Sequence, residues 1–393
     1  MTFIRTELKG DSLYLYPPKR LDSSNAPQTE AEIDAACAAH SGSKIVFDLE
    51  GMEYVSSAGL RVFLRQRKTL PDMRIINASA EVYDIFDMTG FTEIMPVEKA
   101  FRRISVEGCE IIGRGANGAV YRIDPETIVK VYMKADALAE IRNEQNLARR
   151  AFVLGIPTAI SYDVVRVGDG YGSVFELLNA KSIAKLIQEE PENTDHYVSL
   201  YNSLLKTIHG TCVKEDEVPD MKQVALGWAD FLRDYLPESA SNRLIALIEA
   251  VPKDLHLLHG DYHIKNVMIQ NGEALLIDMD TLCHGHPIFE LASMYNAYCG
   301  FTEFEAEKGV NFLGISHALS AEIWRKSLCM YFDTDDSEFL DGINDKAKLL
   351  GYVRLMRRFI RRQGLETKEE RHRIDMYREM ILELLDRVDS LTF

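Results

Sequence analysis

The richest concentration of chemically able side chains is Leu257-Leu-His-Gly-Asp-Tyr-His-Ile-Lys-Asn-Val-Met-Ile269, with Ala274-Leu-Leu-Ile-Asp-Met-Asp280 close behind it. The amide oxygen of Asn266 and the carboxylate of Asp278 are hard ligands of the kind Mg²⁺ prefers, since that ion takes oxygen donors and keeps water and phosphate in its shell. Asp261, five residues before Asn266, could orient an acceptor hydroxyl and take its proton. A metal-holding pair beside a free carboxylate is the equipment for phosphoryl transfer, which demands mainly positioning and charge neutralisation.

A second group lies upstream. Gly113-Arg-Gly-Ala-Asn-Gly-Ala-Val120 spaces Gly113, Gly115 and Gly118 so that backbone amides could approach phosphate oxygens with no Cβ in the way. By itself this spacing also fits a dinucleotide-binding turn from strand to helix. The neighbouring residues decide between the two, because Ala119-Val-Tyr-Arg-Ile123 and Thr127-Ile-Val-Lys-Val-Tyr132 read as further strands, which places the glycines in a hairpin. Lys130, mid-strand between Val129 and Val131, could neutralise the α and β phosphates of a nucleotide, ATP being the expected cofactor with Mg²⁺. Its expected orienting partner is Glu144, with Glu140 one turn earlier as the competitor.

These groups need elements to hold them. Asn271-Gly272 between two apolar runs is a strong hairpin signal and should bring Asn266 and Asp278 together. Phe175-Glu-Leu-Leu178 reads as the strand and hinge linking two lobes, and from Ser293 onward the pattern is helical. In the first hundred residues, strands are expected at Ser12 to Tyr16, Lys44 to Leu49 and Met73 to Asn77. Helices are expected from Asn25-Ala-Pro27, with Ala31, Ile33, Ala36 and Cys37 on the buried side, and again around Leu60, Val62, Phe63 and Leu70. Ser56 and Ser57 precede that second helix and suit its cap, although a phosphate there would also be tolerated electrostatically.

Three blocks, Arg20-Leu-Asp-Ser-Ser-Asn-Ala-Pro27, Phe47-Asp-Leu-Glu-Gly-Met-Glu-Tyr-Val-Ser-Ser-Ala-Gly-Leu60 and Phe86-Asp-Met-Thr-Gly-Phe91, resemble the STAS domain family, to which bacterial anti-sigma factor antagonists belong. In that family the hydroxyl residue just before the glycine is the regulatory phosphorylation site, and here Ala58 stands there. The resemblance leaves Ser56 and Ser57 as possible regulatory phosphosites. The later segments, His259-Gly-Asp-Tyr-His263 with Asn266, Ile277-Asp-Met-Asp280 and Gly285-His-Pro-Ile-Phe-Glu-Leu-Ala292, resemble the aminoglycoside phosphotransferase and choline kinase group of the protein-kinase-like superfamily. This likeness implies that Asp261 is the catalytic base, that Asn266 and Asp278 hold the metal, that Lys130 with Glu144 fixes the phosphates and that the glycine loop covers them. Glu290 replaces the aspartate usual in the group, which bears on bracing of the loop rather than on the chemistry.

The expected fold class is therefore an α/β STAS-like N-terminal domain plus an α+β bilobal protein-kinase-like domain. Its boundaries are 1–100 for the STAS-like part, 101–107 for a linker, 108–178 for the kinase-like N-lobe and 179–393 for the C-lobe with a helical acceptor-side subdomain. With 45 Lys and Arg against 61 Asp and Glu, the net charge of −16 opposes binding to phosphate backbones, so no nucleic-acid partner is expected. Six scattered cysteines with no CxxC pair point to a reducing, cytoplasmic setting, and no run of apolar residues reaches the length of a membrane span. The expected partner is a small-molecule acceptor or a protein of a STAS pathway. Arg354, Arg357, Arg358 and Arg361 form a basic stripe on a helix, read first as solvated and second as a site for an anionic substrate or the STAS domain. Acidic stretches from Gln188 to Asp195 and Lys214 to Asp220 could attract a cationic acceptor, and His263 is expected to brace its loop by hydrogen bonding.

Overall fold

The structure, a computed structural model, describes residues 3–114, 118–134, 137–303, 312–363 and 365–393. The chain forms two compact units, Met1–Ser105 with Val165–Gly168, and Val106–Val164 with Asp169–Phe393.

In the first unit five strands lie in the order Arg5–Lys9, Ser12–Tyr16, Lys44–Asp48, Arg74–Ala78 and Val97–Lys99. The first pair is antiparallel and every later neighbour is parallel, with helices as the crossovers. The edge strand Arg5–Lys9 is exposed throughout, and its charges oppose pairing with another chain. Phe47, Phe63 and Phe86 pack edge to face in the core, with ring centroids 5.4 Å apart at each step. Helix Ala26–Ala39 buries Ala26, Thr29 and Ile33, which recur every three or four residues on one side. Ala31 falls out of that phase and is exposed, contrary to expectation. The segment read as a linker contains a short strand, Arg102–Ile104, parallel to Val165–Val167.

Helix Ser57–Thr69 begins as its sequence suggests. The Ser56 hydroxyl accepts from Ala58 N at 3.2 Å and Gly59 N at 3.4 Å, satisfying amides that the first turn leaves unpaired. Ser57, the first helical residue, is exposed. Gly59 is fixed by packing, because a Cβ there would meet Leu21 O at 2.6 Å.

In the second unit, strands Glu110–Arg114, Gly118–Asp124, Thr127–Tyr132 and Gly170–Glu176 pair antiparallel in that spatial order. Helix Leu138–Val153 buries Ile141, Leu147, Ala148 and Ala151, together with one carboxylate, Glu144. Hairpin Val267–Gln270 and Glu273–Leu276 turns at Asn271 and Gly272, whose φ values of 52° and 83° are those a tight two-residue turn needs. Around the hairpin lie helices Thr194–His209, Met221–Phe231, Ile288–Tyr295, His317–Phe332 and Ser337–Gln363. Tyr201, Tyr262 and Tyr298 are fully buried among them, and the Tyr201 and Tyr262 hydroxyls each donate to the other residue's carbonyl oxygen. No helix among the described residues is long and apolar enough to cross a membrane.

Candidate active site

Lys130 lies in the third strand of its sheet, and Nζ donates to Glu144 Oε1 at 2.9 Å and to Asp278 Oδ1 at 2.6 Å. Its side chain is only 17% exposed, so the ammonium has lost most of its water and depends on these carboxylates. Burial would lower the Lys130 pKa, but Asp278 and then Glu144 outweigh it and hold the group above the ordinary lysine range. Glu144 is steadied in turn by the Tyr132 hydroxyl, which donates to Oε2 at 2.6 Å. Glu140, the rival partner, pairs with Lys134.

The glycines have separate reasons for being glycine. A Cβ on Gly118 would meet Val131 O at 1.9 Å, so this position is set by close approach to the lysine strand. At Gly113 a Cβ would touch only Val120 at 3.7 Å, an ordinary contact, so packing does not explain that glycine. Gly115 lies outside the described residues.

Asp261 sits on a loop held from three sides. Buried Glu290 accepts hydrogen bonds from His259 N at 2.5 Å, Gly260 N at 3.1 Å and Tyr262 N at 3.4 Å. Burial pushes the Glu290 carboxyl up, yet the facing His209, then His259 and the Gly260 amide, keep it below its usual value. The longer side chain thus supplies the bracing that its place in the sequence suggested. Asp261 N donates to His259 Nδ1 at 3.3 Å, which leaves His259 Nε2 to donate to Ile277 O at 3.2 Å. Since an amide can only donate, one tautomer satisfies both contacts. From the other side, Arg354 Nη1 donates to Gly260 O at 3.0 Å and to Ser293 Oγ at 2.8 Å. Gly260 has φ +81°, and a Cβ there would strike Thr281 O at 2.4 Å, so the bend before Asp261 admits only glycine.

The Asp261 side chain is 44% exposed, with His263 Nε2 at 3.6 Å from Oδ2. Desolvation raises its pKa, but His263, Arg354 and His259 prevail and hold the carboxyl well below the usual range. His263, expected to brace its loop by hydrogen bonding, faces the Asp261 carboxylate of that loop through Nε2, packs edge-on against Phe312 at 5.0 Å and leaves a buried Nδ1 without a hydrogen-bond partner. Asn266 closes the loop, its Nδ2 donating to Asp261 O at 3.0 Å. With the amide nitrogen so engaged, Asn266 has its oxygen left as the end that suits a cation. Asp278 adopts the left-handed conformation at φ 64° and ψ 65°, uncommon for a residue with a side chain.

The donor chemistry fits Mg²⁺. Asp278 and Glu144 hold Lys130, and Asp280 shows an excess of negative charge: burial first, then Asp278, push its carboxyl up to about 7, with Glu144 and Asp261 adding to the effect and Lys130 only partly opposing. A divalent cation would relieve that repulsion. Among the described residues no group of three or more His, Cys, Asp or Glu could hold a metal ion by itself. The Cys283-His-Gly-His286 stretch makes ordinary contacts, His284 Nδ1 donating to Asp254 O at 2.7 Å and His286 Nδ1 accepting from Ile288 N at 3.2 Å.

Two contributors were missed by sequence reasoning. Arg354 was read as a solvated member of a stripe, whereas it ties the loop of Asp261 to Ser293, and nothing local in the sequence signals a contact across 94 residues. Asp280 was visible as the second acid of Ile277-Asp-Met-Asp280 and was given no role. Acids of the two acidic stretches pair with the chain's own bases, as in Lys326–Asp195, Arg150–Glu217 and Lys181–Glu189.

Residues 108–314, more than half of the chain, match the profile of the phosphotransferase enzyme family, and the chain belongs to that family. Residues 4–104 match the STAS domain. Over 81 residues, 20% of this chain and 69% of the relative, it is 37% identical to BtrV of Bordetella bronchiseptica, described provisionally as an anti-sigma factor antagonist. Among solved structures it is similar to the ADP-bound aminoglycoside phosphotransferase APH(2'')-Ib, with 14% identity, a TM-score of 0.47 and coverage of 79% of this chain and 99% of that one. A choline/ethanolamine kinase family protein from Mesorhizobium loti gives 14% identity and a TM-score of 0.47, over 71% of this chain and 88% of that one. The chain is thus a member of the phosphotransferase enzyme family that carries an N-terminal STAS domain.

The bracing and the crowded carboxylates generate two expectations. Glu290→Ala leaves three backbone N–H groups buried without their acceptor and should cost about 3 kcal/mol or more of unfolding free energy in urea titration, with Glu290→Asp falling between it and wild type. Asp280 has a folded pKa near 7 against 3.8 when unfolded, so the folded state binds the extra proton between those values and nucleotide-free stability falls as pH rises through that window. Thermal midpoints at pH 5 and pH 8 should therefore differ less in Asp280→Asn than in wild type.

Proposed function

We propose that the second unit transfers the γ-phosphoryl group of ATP, bound with Mg²⁺, to a hydroxyl of a small molecule, and that the STAS unit regulates the enzyme or docks it to a partner protein. The observation that carries this reading is the triple contact of Lys130 with Glu144 and Asp278 beside the loop of Asp261. In it, Lys130 keeps Glu144 and turns from Asp278 toward the α and β phosphates, while Gly113, Gly115 and Gly118 cover the nucleotide. Asn266 and Asp278 would hold the metal, which supplies neutralisation of phosphate charge. Asp261 accepts the hydrogen bond of the acceptor hydroxyl and points its oxygen at the γ phosphorus. The new P–O bond forms as the bond from phosphorus to the ADP oxygen breaks, and the hydroxyl proton passes to Asp261 and then to water. A carboxylate held so far below its usual range is a weak base, so its work is chiefly orientation, with proton uptake late in the transfer.

Asp261→Asn should lower kcat for phosphoryl transfer by roughly a thousandfold while ATP affinity changes by no more than about threefold. A coupled assay of ADP release together with nucleotide titration checks both, and full transfer by the variant would reject the assignment.

A second reading, in which the acceptor is a serine of the STAS unit or of a partner, draws support from Ser57. Its hydroxyl is exposed at the first position of a helix, where phosphate is favoured by the helix dipole, whereas the Ser56 hydroxyl is occupied as the cap. Peptide mass mapping after incubation with ATP separates the two readings: phosphate on Ser57 that depends on Asp261 supports the second, and an unmodified STAS unit removes it.

A further inference from the structure

The helix Ser337–Gln363 carries Arg354, Arg357, Arg358, Arg361 and Arg362 within an arc of roughly 140°, at about 100° per residue. Arg354 is spent on Gly260 and Ser293, but among the described residues none of the other four makes an ion pair with a carboxylate. In a chain with 61 acids and 45 bases this is out of keeping, and elsewhere surface bases find acids readily, as Arg378 does with Asp375 and Arg387 with Asp345. Glu303, the acid at hand, is already taken by Tyr295, Tyr352 and Lys348.

The surroundings of this patch bear on what it receives. The Arg358 guanidinium lies 5.3 Å above the Phe301 ring, and its charged neighbours are Arg362 and Arg354, which repel it, and Asp261, which attracts it. Arg358 is an exposed residue, and partial desolvation and then the two arginines lower its pKa from the ordinary arginine value. On the other flank of Arg354, the Arg357 guanidinium lies 5.8 Å from the Phe231 ring, and its Nε is buried with no hydrogen-bond partner. Lys265 extends the positive field, 5.5 Å from the ring of Phe312, which itself packs on Phe301 at 5.5 Å. Clustered cations that form no ion pair among the described residues are neutralised by an anion's oxygen atoms, and planar guanidinium groups match carboxylate and phosphate well.

We propose that the acceptor alcohol is itself an anion, a small hydroxylated carboxylate or phosphate ester whose charged group is received by Arg358 while its hydroxyl meets Asp261. The proposal rests on the phosphotransfer reading and narrows it, since cationic alcohols such as aminoglycosides and choline would approach Asp261 against this field.

The full chain with Mg·ATP is assayed for ADP release against 3-phosphoglycerate, glycerate and glucose 6-phosphate, against glycerol and glucose, and against kanamycin and choline. Anionic alcohols should be turned over, with Arg358→Gln raising their KM at least tenfold, Arg358→Lys recovering part of the loss and the KM for ATP unchanged. In parallel, wild type and Arg358→Gln are saturated with Mg²⁺ and a non-hydrolysable ATP analogue, so that the γ-phosphate position is filled, and titrated with inorganic sulfate by calorimetry. Saturable binding in wild type, weakened at least tenfold in the variant, is the expected result whether or not the panel contains the true acceptor. Turnover of only cationic or neutral alcohols, phosphorylation confined to a protein serine, or no saturable sulfate binding each overturns the proposal while leaving phosphotransfer standing. Failure to bind the Mg²⁺–nucleotide at all would overturn the phosphotransfer reading and this proposal with it.

Discussion

The second unit is organised around one ammonium group that water cannot reach freely. Lys130 is joined to Glu144, fourteen residues away, and to Asp278, 148 residues away, and losing either contact would leave a desolvated charge underneutralised. That requirement fixes the strand carrying Lys130, the face that helix Leu138–Val153 turns inward and the position of the segment after the Asn271-Gly272 hairpin. The tight seating of Gly118 on Val131 O and the left-handed backbone at Asp278 are local adjustments that let the three side chains meet. They bear a conformational cost that only a surrounding framework can sustain.

The parts that were legible in the sequence are those whose signal is short-ranged. The Asn271-Gly272 turn, the hairpin around Gly113 and Gly118 and the cap at Ser56 each depend on a few neighbouring residues, and the structure has them in those forms. Lys130 and Glu144 could be paired in advance because one strand and the next helix constrain them. The bond from Lys130 to Asp278 and the reach of Arg354 to Gly260 arise only when distant segments pack, and no periodicity encodes them. His263 combines both ranges, facing Asp261 two residues before it and packing on Phe312 from a distant segment. Ala31 was set on the buried side by composition alone, while the spacing of Ala26, Thr29 and Ile33 already defined a face that excludes it.

Charge is sorted sharply within the second unit. Carboxylates gather at Lys130 to the point that Asp280 resists ionising, while arginines gather on the helix that supports the Asp261 loop. Asp261 belongs to both sets, counted among the carboxylates that disfavour ionised Asp280 and held in its own charged form by Arg354. A strongly acidic chain would not distribute its cations in this way for solubility alone.

The imidazole of His259 joins the amide of Asp261 to the carbonyl just before Asp278. An aromatic ring has a fixed width and no internal torsion, so it acts as a spacer gauge between the loop that bears Asp261 and the strand end that bears Asp278. The spacing between the Asp261 and Asp278 segments is therefore written into a side chain that accepts from and donates to their backbone.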